Sequence, residues 1–247
     1  MPPLATALIL SLLGSLGGLL VASSLLLFTD HVRTRLVPWL VSYAVGALLG
    51  VALLALLPEA LQELEPEQAF ATLLVGILAF FLLEKLVLLR HSHSEHDHVH
   101  GAAAPLVLLG DAFHNFIDGA TISAAVLTSV PLGVNTAIAV AAHEIPQEVG
   151  DVAILLAAGY SRRRALFLNV LSGASGLAGA LLAYVAVGSV PDVRPFVLAL
   201  SSASMLYIAM SDLIPGLNRG EHGSAVRQTL LIAAGIATVV LFERIIG

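Results

Sequence analysis

Two short stretches hold a dense set of metal-type ligands, and both lie inside apolar runs. The first, DAFHNFIDG, contains Asp111, His114, Asn115 and Asp118; the second, HEIPQEVGD, contains His143, Glu144, Gln147, Glu148 and Asp151. Seven of these nine side chains ionise. Ionisable groups at membrane depth cost about 3 kcal/mol each or more, so they persist only when paired, hydrated or bound to an ion. One divalent cation would give all seven a common purpose. On a helix, Asp111, His114, Asn115 and Asp118 fall at i, i+3, i+4 and i+7 and share a face. Glu144, Glu148 and Asp151 share a face of the next helix, with His143 and Gln147 on the adjoining one. Pro146 has no N–H, so the carbonyl of Ala142 loses its helical partner and a kink is expected there. Backbone freed in this way is tolerated in a membrane where protein or a hydrated cavity covers it.

The elements that position these residues follow from composition. The chain has 247 residues, 58% hydrophobic and only 11% charged, with a mean hydropathy of +0.95. A soluble domain carries about 25% charged residues, so this is an all-α integral membrane protein. There are no cysteines, which leaves imidazole, carboxylate and carbonyl donors and excludes thiolates. That donor set suits Zn, Fe, Mn or Co. The formal net charge of −6 says little about partners, because much of it sits in the two stretches and one acidic loop. No organic cofactor and no nucleic-acid partner is expected. The start, MPPLATALIL, lacks a positive flank and reads as the first span rather than as a cleaved signal.

Eight apolar runs approach or exceed the roughly 20 residues that a span needs. Helix 1 is expected at 4–28, helix 2 at 36–57 with its stop at Pro58, and helix 3 at 69–89. Helices 4 and 5, at 104–127 and 131–158, carry the ligand-type residues. Helices 6, 7 and 8 follow at 165–187, 195–214 and 229–246. Loops are short: an acidic one with Glu59, Glu63, Glu65 and Glu67, and a histidine-rich one at 91–100. Nine Lys and Arg residues fall on the side of the loops after helices 1, 3, 5 and 7, against Arg194 and Arg244 opposite. That bias puts those loops in the cytoplasm and both termini outside. Helix 1 (SLLGSLGG) resembles helix 6 (SGASGLAG), and helix 2 (ALLPEAL) resembles helix 7 (DLIPGL). These pairs cross in opposite directions, which makes an inverted repeat with helices 4 and 5 between the halves.

HNFIDG and HEIPQEVGD together resemble the paired signatures of the ZIP family of divalent metal transporters, in the branch whose fifth helix reads HEIPHE. The resemblance extends to eight spans, outside termini and a histidine-rich cytoplasmic loop. It implies eight transmembrane helices in a 3+2+3 arrangement, frequent homodimers in the bilayer, and alternating access by sliding of one helix bundle. It also implies a metal site on helices 4 and 5, often with two adjacent ions. Matched position by position, the ligands are His114, Asn115, Asp118, His143, Glu144, Gln147 and Glu148, with Asp151 nearby but not a ligand. Gln147 stands where the branch has a second histidine; its amide oxygen is a harder, neutral donor, which moves preference from zinc toward iron or manganese. Val51, Ala55 and Glu59 on helix 2 stand where branch members carry polar or histidine residues.

The function so implied is transport of a divalent cation (zinc, iron, manganese or cadmium) into the cytoplasm, the metal being substrate rather than cofactor. Short loops and the absence of targeting features suggest a prokaryotic cytoplasmic membrane. Two rivals use the same residues. An intramembrane zinc metalloprotease would want H-E-x-x-H on a regular helix, and a metal channel would conduct without saturating. A purely structural polar network is the plain alternative. His91, His93, His96, His98 and His100 either bind metal or form a solvated loop. Glu84 reads as paired with Lys85, and Asp212 as a packing or path residue. Asn169, Ser172 and Ser175 read as a packing stripe.

Overall fold

A computed structural model describes residues 2–25, 27–92, 103–219 and 225–246, and among them all regular structure is helical. Most of the 91–100 histidine loop lies outside the described residues. α1 covers Pro3–Leu25. α2 runs from Asp30–Val51 through a π-helical turn, Ala52–Leu56, into Leu57–Glu63. α3 is Pro66–Ser92, α4 Ala103–Thr128 and α5 Val130–Ala157. α6 comprises Arg162–Gly173 and Ser175–Ser189, separated by one turn at Ala174. α7 runs from Arg194–Tyr207 through a π turn, Ile208–Leu213, into Ile214–Arg219, and α8 is Ala225–Ile246. Six of these (α1, α2, α3, α6, α7 and α8) are long and apolar enough to cross a membrane. α4 and α5 carry the buried charges. The chain is a multi-pass membrane protein.

Helix 2 does not stop at Pro58, as its sequence suggests. In the π turn Leu57 N–H donates to Ala52 O, five residues back. This wider turn takes up the missing proline donor, and the helix continues to Glu63. With α3 starting at Pro66, all of the expected acidic loop except Leu64 and Glu65 is therefore helical. α7 repeats the device: Ile214 N–H donates to Ala209 O just ahead of Pro215. Pro146 likewise sits inside the continuous α5.

The helices pack in two groups. In one, α1 lies on α5, α4 on α6, and α4 on α5; in the other, α2 lies on α8 and α3 on α7. Glycines set the closest approaches. A Cβ on Gly119 would stand 1.8 Å from the Gly176 carbonyl oxygen, and one on Gly46 would stand 2.0 Å from that of Ile232. Side-chain hydroxyls tie further pairs. Ser172 and Ser175 of α6 donate to Leu108 O and Ala112 O of α4 at 3.1 and 2.5 Å, the packing role expected of that stripe. Ser202 of α7 donates to Ala52 O of α2 at 2.9 Å. The most apolar stretch of α2 is 67% buried, whereas those of α3 and α8 are 11% buried, so α2 is interior and the other two face lipid. Glu84 accepts the Tyr207 hydroxyl rather than pairing with Lys85, whose ammonium lies over the Phe81 ring. Glu63 pairs with Arg194, joining α2 to the start of α7.

Candidate metal centre

α4 and α5 cross with their charged faces together, and the sequence spacing explains how. His114 and Asp118, one turn apart on α4, meet His143 and Glu144 of α5. The two imidazole Nε2 atoms are 2.9 Å apart. His143 Nε2 lies 3.0 Å from Asp118 Oδ2 and 3.6 Å from Glu144 Oε1. His114 Nε2 lies 3.5 Å from each of the same oxygens. Asp118, His143 and Glu144 are fully buried or nearly so, and His114 is partly exposed.

Protonation logic shows what this packing lacks. His143 Nδ1 is 3.0 Å from Ala139 O, a contact that requires the ring proton on Nδ1. A neutral His143 then turns the Nε2 lone pair inward, the tautomer that binds metals. That lone pair faces the Asp118 oxygen, itself an acceptor. No arrangement of neutral imidazole protons satisfies all four atoms. Beyond these imidazole contacts, neither carboxylate of Asp118 or Glu144 has a hydrogen-bond partner. A tetrahedral zinc with donors at about 2.05 Å would set them about 3.3 Å apart. The nitrogen–nitrogen and nitrogen–oxygen separations of 2.9–3.6 Å fit such an ion with small adjustments.

A second group shares Glu144. One oxygen each of Asp111, Glu144 and Glu148 lie within 4.8 Å of one another, all buried. Asp111 Oδ1 accepts from Asn115 Nδ2 at 3.0 Å and from Gln147 Nε2 at 3.1 Å, which leaves its Oδ2 unpartnered. Asn115 Oδ1 and both Glu148 oxygens are also unpartnered. This group is all oxygen, a harder donor set than the first. Gly18 of α1 backs the shared residue, since a Cβ there would stand 2.8 Å from Glu144 Cβ.

Of the residues expected from sequence, His114, Asp118, His143 and Glu144 form the first group, and Glu148 belongs to the second. Asn115 and Gln147 brace Asp111 through their amide nitrogens. Asp151 lies in neither group. Asp111, outside the ligand set that the resemblance implies, lies in the second group. Asp212, in the α7 π turn, lines two cavities. One, of 290 Å³, also reaches Gln147; the other, of 340 Å³, also reaches His114. Val51 and Ala55 are buried and apolar, so that part of α2 offers no ligand.

Residues 90–243, more than half of the chain, match the family described as ZIP zinc transporter. The chain belongs to the ZIP family. Among its ZIP relatives, zinc transporter ZIP13 of Pongo abelii is 36% identical over 220 residues, covering 83% of this chain and 66% of that protein. Human zinc transporter ZIP4 is 31% identical over 245 residues, covering 71% of this chain and 38% of that protein. Mouse zinc transporter ZIP5 is 40% identical over 147 residues, covering 59% of this chain and 27% of that protein. The matched region thus spans about two thirds of the first relative and well under half of the other two.

Proposed function

We propose that residues 1–247 form one carrier domain that moves divalent transition-metal cations into the cytoplasm, zinc foremost, with iron, manganese and cadmium as further substrates. The observation that carries this reading is the convergence of His114 Nε2, His143 Nε2, Asp118 and Glu144 without the protons to satisfy one another. Eight residues hold the ion: His114, Asn115, Asp118, His143, Glu144, Gln147 and Glu148, which match the family pattern, and Asp111. Two positions share Glu144, so an ion stepping from the mixed nitrogen–oxygen group to the all-oxygen group keeps one carboxylate throughout. The relatives' names as zinc transporters support zinc as cargo.

The 3+2+3 inverted repeat is supported by packing. Exchanging α1 with α6, α2 with α7, α3 with α8 and α4 with α5 turns the α1–α5 pair into α6–α4, and α2–α8 into α7–α3. The matched π turns before Pro58 and Pro215 obey the same exchange. In the alternating-access step, α1, α4, α5 and α6 slide together against the other four helices. Small and apolar side chains such as Ala44, Ala47, Ala139 and Val140 make up much of the shared core. The bias of nine cations to two supports an orientation with both termini outside. On that orientation the cavity beside Gln147, Asp212 and Gln228 opens toward the cytoplasm and serves as the exit. A zinc peptidase would need a second imidazole at 147, where Gln147 donates to Asp111 instead.

Uptake into sealed proteoliposomes tests the reading with zinc, iron(II), manganese and cadmium, for the wild type and Glu144→Ala. Saturable uptake that vanishes in the variant is expected. A folded, metal-binding protein that takes up none of the four would overturn it.

A further inference from the structure

Away from the carboxylates, the start of α6 gathers charge of the opposite sign. Arg162, Arg163 and Arg164 are consecutive and all exposed. Arg164 stacks over Tyr160, 4.8 Å from the ring centroid. Among the described residues, neither Arg162 nor Arg163 pairs with a carboxylate, although acidic residues outnumber basic ones 17 to 11. Among the described residues, these three adjacent guanidinium groups at a membrane boundary have no carboxylate counter-ion.

What lies next to them is apolar and outward-facing. Phe167 is 64% exposed and Leu171 60% exposed. Arg163, Phe167 and Leu171 fall at i, i+4 and i+8, on one stripe of the helix. Leu171 lies about 12 Å along the axis from Arg163, within the roughly 15 Å of one hydrocarbon leaflet. Tyr160 sits where aromatic side chains favour the headgroup level. Cation above, apolar stripe below and aromatic at the boundary together match an amphiphile with a negative head.

We propose that this end of α6 binds the headgroup of an anionic phospholipid, with an acyl chain along Phe167 and Leu171. The planar guanidinium fork pairs two of its N–H groups with phosphate oxygens, which a lysine cannot do. α6 is tied to α4 by Ser172 and Ser175. The lipid thereby anchors the group of helices that holds the carboxylate cluster.

Native mass spectrometry of the full chain, offered phosphatidylglycerol and phosphatidylcholine in equal amounts, tests this. The wild type should retain phosphatidylglycerol, and R162Q/R163Q should hold it about 30-fold more weakly at roughly 1 kcal/mol per arginine. R33Q/R35Q, which removes equal charge elsewhere, should not change retention. R163K keeps the charge and should lose part of the affinity, a readout that survives if the double variant fails to fold. Retention unaffected by R163K and R162Q/R163Q, equal loss in R33Q/R35Q, or no preference between the lipids would overturn the proposal. Displacement of the lipid by millimolar inorganic phosphate would also overturn it, pointing to a site for free phosphate.

Discussion

The two helix groups bury polar atoms on opposite terms. In α1, α4, α5 and α6, buried oxygens without hydrogen-bond partners occur on Ser11, Asp111, Asn115, Asp118, Ser123, Glu144, Glu148 and Asn169. In α2, α3, α7 and α8, no described buried oxygen lacks a partner. There Ser42 donates to Pro38 O, Ser202 to Ala52 O, and Tyr43 to Thr238. A buried unpaired oxygen costs about 1–3 kcal/mol, more if charged. One group is internally satisfied and acts as support. The other holds the unpartnered carboxylate oxygens of Asp111, Asp118, Glu144 and Glu148, which the proposed ion would pair. That asymmetry separates binding machinery from scaffold without reference to any relative.

The sharpest way to break this contrast is Glu144→Ala, which removes the carboxylate common to both ion positions. Metal affinity and uptake should fall by about 100-fold or more, the ~3–5 kcal/mol that attends loss of a buried charge partner; competition with a fluorescent chelator measures it. Acid comes next. Protons compete with the cation for the imidazole nitrogens, and His114 and His143 must be unprotonated to accept it. Affinity should therefore weaken steadily as pH falls from 7.5 to 5.5, while thermal stability of the metal-free protein changes less. Gly119→Ala and Gly46→Ala place a Cβ against backbone in the two groups respectively. Both should destabilise by about 1–3 kcal/mol, read as a lowered melting temperature, but Gly119→Ala alone should weaken metal binding. Gln147→His should raise zinc over manganese selectivity by about tenfold, one nitrogen ligand's worth of ~1.4 kcal/mol. Ser202→Ala should have the smallest effect, about 0.6 kcal/mol in stability with metal affinity unchanged.

Much of this was legible in the sequence because membranes punish exceptions. Apolar runs gave the spans, and the i, i+3, i+4, i+7 spacing put His114 and Asp118 on one face. The course of α2 past Pro58 was not legible. A π turn is a backbone adjustment with no side-chain signature, and proline in a sequence normally reads as a stop. The place of Asp111 was missed for another reason. Its membership depends on how α4 and α5 pack against each other, where Gly133 of α5 meets Val126 of α4, rather than on the acid itself. The partnership of Glu84 with Tyr207 links residues 123 positions apart, and adjacency to Lys85 gave a misleading local alternative.

X-ray absorption of the zinc-loaded chain, with His91, His93, His96, His98 and His100 replaced by alanine, is the most direct test of the central claim. Two imidazole nitrogens and carboxylate oxygens at about 2.0–2.1 Å are expected, with the imidazole signal lost on further replacement of His114 and His143. Zinc bound only through water and loop residues, or an imidazole signal that survives loss of both histidines, would contradict it.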